Sequence, residues 1–333
     1  MSSAVGEKRP ASRRWPFVAI WGGAALFVVV AFVVTVAALN ATVYSAGGFA
    51  RGYMDAVDRG DVSSALTLAG VEVTDDLDDS LLEVPSLGGL DDVREVSELP
   101  LGDGTRTVTL AYTLDGVAGE SQFVVREAGT RFLVFRQWSF AQKPTATIDV
   151  TPRNDARFEV DGREITTTGG DVATRFTVLA PSRFELSHDS TYLHADPVEV
   201  SALGVASTTA AAVDIRPRAS FAAVLQRQLD RQLDESCVTQ KVLLPAGCPF
   251  GRPVDDRIVD EPVWSIVDHP AVTVVPSSST PGQWLVDEAP GTAHLVVQAQ
   301  SLFDGSVYTI DEDVPFTVSY AMTIDSDDTL SFQ

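Results

Sequence analysis

From Trp15 to Leu39 the chain reads WPFVAIWGGAALFVVVAFVVTVAAL, twenty-five residues without a charge. A helix needs about 20 such residues to cross a hydrocarbon core, so this segment is long enough to span one with some tilt. Lys8, Arg9, Arg13 and Arg14 precede it against the single acid Glu7, and the first charge beyond it is Arg51. A positive flank stays on the cytoplasmic side, which sends residues 40–333 outside. A cleaved signal peptide is the competing reading, because Val36-Ala37-Ala38 offers small residues to a peptidase. Signal h-regions run only about 7–15 residues, however, and the expectation is a retained single-pass anchor in the plasma membrane. Ala19 and Gly23 form a small-xxx-small pair, which in so Ala- and Gly-rich a span is background.

The compartment decides how the two cysteines are read. Cys237 and Cys248 are the only pair, and the nearest histidine, His269, lies twenty-one residues beyond Cys248. That is short of the four Cys or His ligands of a structural zinc site, and the spacing is not the C-x-x-C of a thioredoxin-like redox motif. Outside the membrane the expectation is one disulfide closing a short loop.

Net charge is −22; the N-terminal tail contributes +3, which leaves −25 for the remainder. So acidic a surface repels nucleic acid, and DNA or RNA binding is excluded as a function. Only Lys8, Lys143 and Lys241 among the 24 basic residues are lysine, a usage that with abundant Ala, Val and Asp points to a high-GC genome. Acids gather at Asp75-Asp76-Leu77-Asp78-Asp79 and at Asp325-Ser326-Asp327-Asp328, without the spacing or the glycine of an EF-hand loop. Solvated loops are the expectation for both. Asn40-Ala41-Thr42 matches a glycosylation sequon but abuts the membrane.

Beyond the anchor the apolar period changes along the chain. Phe49, Tyr53, Ala56 and Val57, then Ala65, Leu66 and Leu68, recur at helical spacing on either side of Arg59-Gly60-Asp61, which predicts two short helices. After a polar, Gly-rich stretch the period becomes two, in strands over Thr105–Leu114, Glu120–Arg126 and Arg131–Trp138 separated by Asp115-Gly116 and Ala128-Gly129. A sheet curled around the helices would bury Leu110, Tyr112, Phe123, Val125, Leu133 and Phe135. The run FARGYMDAVDRGDVSSALTL at 49–68, with a meander ending in Phe135-Arg136-Gln137-Trp138, resembles the NTF2-like superfamily. The resemblance implies helices closing one side of a curved sheet whose hollow holds a ligand, a catalytic carboxylate or nothing.

Alternating strands follow over 145–202, with Asp161-Gly162 as a hairpin turn, and predict a small β-sandwich. The pattern I-x-V-x-P…A-x-F-x-V-D-G is similar to PEGA-type β-domains, with Ala180-Pro181-Ser182-Arg183-Phe184 in place of the usual G-x-Y segment. A small-residue linker, Ala206–Ala212, leads into an amphipathic helix with Phe221, Leu225, Leu229 and Leu233 on one face. Strands over Val263–Val267, Val272–Val275, Gln283–Val286, Thr292–Gln300 and Val314–Ile324 complete a second helix-plus-meander unit that resembles the first.

The expected fold class is thus α+β: a basic cytoplasmic tail (1–14), a transmembrane helix (15–39), an NTF2-like domain (45–142), a small all-β module (145–202) and a second NTF2-like domain carrying the disulfide (215–333). Anchor and modules together resemble two groups. One is the teicoplanin-resistance-associated membrane protein type, linked to cell-wall polymers. The other is the conjugation-channel component type, with paired NTF2-like domains that assemble with secretion proteins. Both imply a non-catalytic scaffold or binding protein of a bacterial envelope, with membrane and wall polymer or other membrane proteins as partners. An NTF2-like enzyme acting on a small molecule is a further alternative.

No G-x-S-x-G, H-E-x-x-H or phosphate-cradling Gly loop is present, and no catalytic residue, metal ligand or cofactor is assigned. His188 and His194 fall on turn-like sequence whose spacing would place both near one loop, and His294 and Asp287 lie on or beside strands of the last unit. The binding patch suggested by residue type is Arg131, Arg136 and Trp138 on the first sheet.

Overall fold

The computed structural model describes residues 15–332; the basic tail lies outside the described residues. Helix α1 (Trp15–Ala41) runs two residues past the expected end of the apolar stretch. Its window Ile20–Ala41 is 22 residues long with none buried, the one helix among the described residues long and apolar enough to cross a membrane. At ~1.5 Å per residue it measures about 33 Å, close to a hydrocarbon thickness of ~30 Å.

Only Thr42–Tyr44 separate α1 from Ser45, whose hydroxyl caps α2 (Ala46–Asp58) by accepting from Gly48 N at 2.9 Å. A Cβ on Gly48 would sit 2.3 Å from the Thr42 carbonyl oxygen, so this corner admits glycine alone. Gly60 and Asp61 end one helix and begin the next as expected: Gly60 takes φ +63°, and Asp61 accepts from Ser64 N at 3.1 Å to cap α3 (Val62–Ala69). Four antiparallel strands follow, β1 (Leu90–Gly102), β2 (Thr105–Leu114), β3 (Val117–Arg131) and β4 (Phe135–Phe140), in the order β1-β2-β3-β4. The sheet curls around α2, which touches all four strands. Tyr53, Met54, Leu110, Phe123 and Val125 are fully buried between helix and sheet, each contributing about 1.5–3 kcal/mol.

Two features of this unit depart from the expectation. The polar stretch before Thr105 is strand β1, an edge whose side chains are mostly exposed, so burial leaves no alternation in its sequence. Ala128-Gly129 is not the turn: β3 passes through it with a bulge and Gly129 at φ +124°, and the chain reverses at Phe132–Val134. Leu133, expected in the core, is consequently 92% exposed at the hairpin tip, and Phe135 is half-buried.

The next segment forms two sheets around a shared core. Strands β5 (Thr145–Arg153), β6 (Arg157–Val160), β7 (Arg163–Thr166), β8 (Thr174–Leu179), β9 (Ser182–Asp189), β10 (Leu193–Ala202), β11 (Thr208–Asp214) and β12 (Arg216–Pro217) divide into the orders β12-β10-β9-β6-β7 and β11-β5-β8. Ile148, Val150 and Phe176 of one sheet pack in a single cluster with Phe158, Phe184 and Leu186 of the other. The small-residue segment at 206–212, read as a linker, is largely β11, which pairs in parallel with β5. Its Thr and Ala side chains are too small to mark a buried face.

Helix α4 (Ala219–Arg231) ends in a π-helical turn, Gln232–Cys237, and buries Phe221, Leu225, Leu229 and Leu233 as their spacing predicts. Cys237 and Cys248 are disulfide-bonded, their Cα atoms 5.7 Å apart. A loop of this size stabilises by about 3 kcal/mol on chain-entropy grounds. The last sheet comprises β13 (Arg257–Ile258), β14 (Val263–Asp268), β15 (Val274–Pro276), β16 (Gln283–Gln300), β17 (Val307–Ile324) and β18 (Leu330–Phe332), built on the long β16–β17 hairpin. The segments read as two strands on either side of Asp287–Gly291 are one, β16. Pro290 is tolerated because β15 pairs with 284–286 and β14 with 292–296, which leaves its other edge in the gap between them.

One buried ion pair ties the sandwich to the C-terminal strands. Asp155 and Arg157 are each 5% exposed; Arg157 donates to Asp155 through Nε (3.1 Å) and Nη2 (3.2 Å), and its Nη1 reaches the Asp325 carbonyl at 3.3 Å and the Asp328 carboxylate at 3.5 Å. Arg157→Met leaves Asp155 buried without its charge partner and is expected to cost about 3–5 kcal/mol in denaturant unfolding. Arg175→Met, which opens the exposed Arg175–Asp149 pair (3.0 Å), is expected to leave the unfolding midpoint nearly unchanged in the same measurement.

Candidate binding cleft

The space between α2 and its sheet is filled by side chains. Rings of Tyr53, Phe123 and Phe140 stack edge to face or tilted at 5.2–5.8 Å. The Tyr53 hydroxyl donates to the Ala180 carbonyl at 2.9 Å and lies 3.2 Å from that of Pro144. Burial pushes this phenol far above its usual range, so it remains a neutral hydrogen-bond donor. Tyr112 and Ser121 hydroxyls both donate to the Leu203 carbonyl, a second polar tie from the first sheet to the sandwich. The crevice between α2–α3 and the sandwich, lined by Val57, Leu81, Leu82 and Phe184, holds about 20 Å³, room for about one water.

An open cleft of about 470 Å³ lies on the outer side, between the C-terminal turn of α3 and strand β4. Phe49 and Phe140, ring centroids 4.9 Å apart, are among its apolar lining residues, and Trp138, Arg126 and Lys143 line it as well. The Trp138 ring is held by its Nε1, which donates to the Tyr44 carbonyl at 2.9 Å, and by the Arg106 guanidinium 5.7 Å from the ring centroid. Arg126 Nε reaches Ser139 Oγ at 3.4 Å. Neither Arg126 nor Lys143 forms an ion pair among the described residues, and no carboxylate lines the cleft. The negative end of α3 at the rim is one partner that these cations complement. Trp138 on one face of β4, Arg126 beside Ser139 on the other and Lys143 beyond the strand's end form an edge along which an anionic, partly apolar chain can lie.

The three residues of the expected patch separate along one ribbon. Trp138 is in the cleft; Arg136 is two positions along β4 on the same face, with its amide donating to Asn40 Oδ1 at 3.0 Å; Arg131 is at the hairpin tip with its guanidinium 5.2 Å from the Phe132 ring. Arg126 and Lys143 were missed, although Lys143, one of three lysines in the chain, carried a compositional signal. Arg126 carried none, because its neighbour in the cleft is set by the β3–β4 pairing.

His188 and His194 are on strands, not a shared loop. In the β9–β10 ladder His188 opposes Ala195 and His194 opposes Asp189, and adjacent positions face opposite sides, so the two imidazoles point apart. His294 Nδ1 is 2.7 Å from Asp313 and its Nε2 3.1 Å from Asp311, at the surface of the long hairpin. Asp287, beside it in the sequence reading, is exposed at the bulge of β16. Among the described residues no three His, Cys, Asp or Glu side chains converge on a common point. Of the acidic runs, Asp76 and Asp79 accept from Thr74 Oγ1 (3.1 and 2.8 Å), and Asp328 accepts from Thr191 N at 3.0 Å.

The two histidines titrate in opposite directions. The hydrogen bond to Asp313 raises His294 above the ordinary imidazole value, whereas burial lowers His188, with Asp155 and Arg157 acting on it in opposite senses. The His294 contribution to stability is full below about pH 6.5 and is lost as pH rises through its folded value. His188 has the opposite sign: protonation favours the unfolded chain, and stability falls as pH drops below about 6.5 toward its folded value. Histidine-labelled NMR of the full chain, assigned with His188→Gln and His294→Gln, is expected to show the His294 midpoint above that of His188.

No protein-family model matches the chain, and neither the curated proteins nor the solved structures yield a match.

Proposed function

We propose that this protein is a membrane-anchored, extracytoplasmic binding protein of a bacterial envelope that holds an anionic envelope polymer in the cleft of its membrane-proximal unit. Orientation is argued from charge: the basic tail before α1 favours an N-terminus in the cytoplasm and residues 40–333 outside the plasma membrane. The order of helix pair and curled antiparallel sheet over 45–142 supports the NTF2-like reading of that unit, and the resemblance to the teicoplanin-resistance-associated type follows from anchor plus modules.

The observation that carries the reading is the pairing of Arg126 and Lys143 with Trp138 in a cleft free of carboxylates, on a chain of net charge −22. A surface acidic on balance repels a polyanion over most of its extent, so a cleft with two cations and no carboxylate stands out against it. Binding rather than catalysis is favoured because the space between helices and sheet is occupied by Tyr53, Met54, Phe123 and Phe140. A second reading, assembly with other secretion-channel proteins, is supported by the tip of the long hairpin, where Phe303 is 99% and Leu302 73% exposed.

The test uses the full chain in lipid nanodiscs and a poly(glycerol phosphate) chain of defined length. Arg126→Ala and Lys143→Ala are each expected to weaken binding by about tenfold, ~1.4 kcal/mol, and salt to weaken it further. Equal binding by wild type and the double variant would sink the cleft reading. Co-purification of other membrane proteins that is lost on Leu302→Ser/Phe303→Ser and kept in the cleft variants would favour the channel reading.

A further inference from the structure

We propose that the β3–β4 hairpin tip, Phe132-Leu133, dips into the outer leaflet beside α1, with Arg131 and Arg136 at the level of the lipid phosphates. The inference rests on α1 spanning the membrane. It concerns a different surface from the cleft.

The direction of the ribbon is fixed by its contacts with the end of α1. Trp138 Nε1 donates to the Tyr44 carbonyl (2.9 Å), and the Phe135 ring packs on the Tyr44 ring at 4.5 Å. Nearer the tip than Trp138, Arg136 N donates to Asn40 Oδ1 (3.0 Å), and Asn40 Nδ2 donates to the Val134 carbonyl (2.7 Å). The hydrogen bonds thus pass from Tyr44, just beyond α1, at Trp138 to Asn40, within α1, at Arg136 and Val134, so the strand runs back along α1 as it approaches its turn. Asn40 lies within the last two residues of the apolar window Ile20–Ala41, at the hydrocarbon boundary. Phe132 and Leu133 lie beyond the position held by Asn40.

Both tip side chains are open, Phe132 at 74% and Leu133 at 92% exposure, and both have backbones in the left-handed region, φ +51° and +64°. Asn and Gly fill such turn positions at least cost, and a bulky residue there is strained. Two large apolar residues thus occupy positions where backbone and water each disfavour them, which is the pattern of a segment whose apolar contact lies outside the chain. A lipid surface supplies that contact and matches the flanks. Arg131 lies over the Phe132 ring, and long basic side chains beside a buried ring reach back to phosphate. Tyr44 and Phe135, their rings 4.5 Å apart, form the aromatic level expected at an interface. The other apolar tip, Leu302-Phe303, lies in the loop between β16 and β17 and serves as the internal control.

The full chain is reconstituted one per nanodisc in phosphatidylethanolamine and phosphatidylglycerol, with a nitroxide at Val29→Cys, Leu133→Cys or Phe303→Cys in turn. Both native cysteines are disulfide-bonded and do not take the label. Collision with oxygen and with a nickel chelate reads depth. Position 133 is expected to be several-fold less accessible to nickel than position 303, and shallower than position 29. Nickel access at 133 equal to that at 303, with 29 deep, overturns the tip while the anchor stands. Nickel access at 29 overturns both. Protection at 133 that requires two chains per disc assigns the tip to a contact between copies and also overturns the proposal. Phe132→Asn/Leu133→Gly suits the turn backbone and keeps the hairpin; a label at Arg131→Cys is expected to gain nickel access in that variant, and no gain counts against lipid contact.

Discussion

One apolar stripe on α4 belongs to two cores at once. Phe221 and Leu225 pack with Ile148, Phe158, Trp284 and Met322, whereas Leu229, Leu233 and Cys237 pack with Phe250, Trp264 and Phe316. The base of the long hairpin and the sandwich are therefore joined by burial along a single helix. Leu81 and Val84, from the segment after α3, enter the same sandwich core, and Tyr53 reaches the Ala180 carbonyl from α2. Each segment after the anchor thus completes part of its neighbour's interior. The hydrophobic effect acts here across sequence segments that separately have little core to bury.

Against that burial stands the self-repulsion of a chain with 46 acids and 24 basic side chains. The fold spends many of its acids on local backbone donors. Asp61 caps α3, Asp79 accepts from Thr74 N at 3.1 Å, and Asp328 accepts from Thr191 N. A carboxylate holding amide protons is stabilised where it stands, and hydrogen bonds from neighbouring backbone and hydroxyl groups lower the titration of Asp61, Asp256, Asp304 and Asp327.

Elements with strong periodicity were legible in the sequence, and elements defined by their neighbours were not. The face of α4, the Gly60-Asp61 break and the Asp115-Gly116 and Asp161-Gly162 turns were all visible as residue types at fixed offsets. Strands β1 and β11 were invisible because an edge position and a small-residue pairing leave no alternation to read. The true β3–β4 turn was hidden for the opposite reason: Arg131–Trp138 read as one strand with Leu133 in the core, and only the left-handed backbone of Phe132 and Leu133 shows the corner. Of the cleft, Trp138 was legible by type, while Arg126 reaches the same edge by pairing with Ser139, which no local pattern encodes.

The corner between α1 and α2 has three residues, Thr42–Tyr44, a glycine that cannot be replaced without collision, and the Asn40 side chain bonded to the opposite hairpin. Such a joint resists bending, so α1 and the curled sheet move as one lever. An apolar window of 22 residues slightly exceeds an average bilayer, and a helix of that length accommodates a thinner one by tilting. In a rigid joint any tilt of α1 is passed to everything beyond it. Were α1 to span a bilayer, the local thickness would set the angle at which the following units stand to the surface.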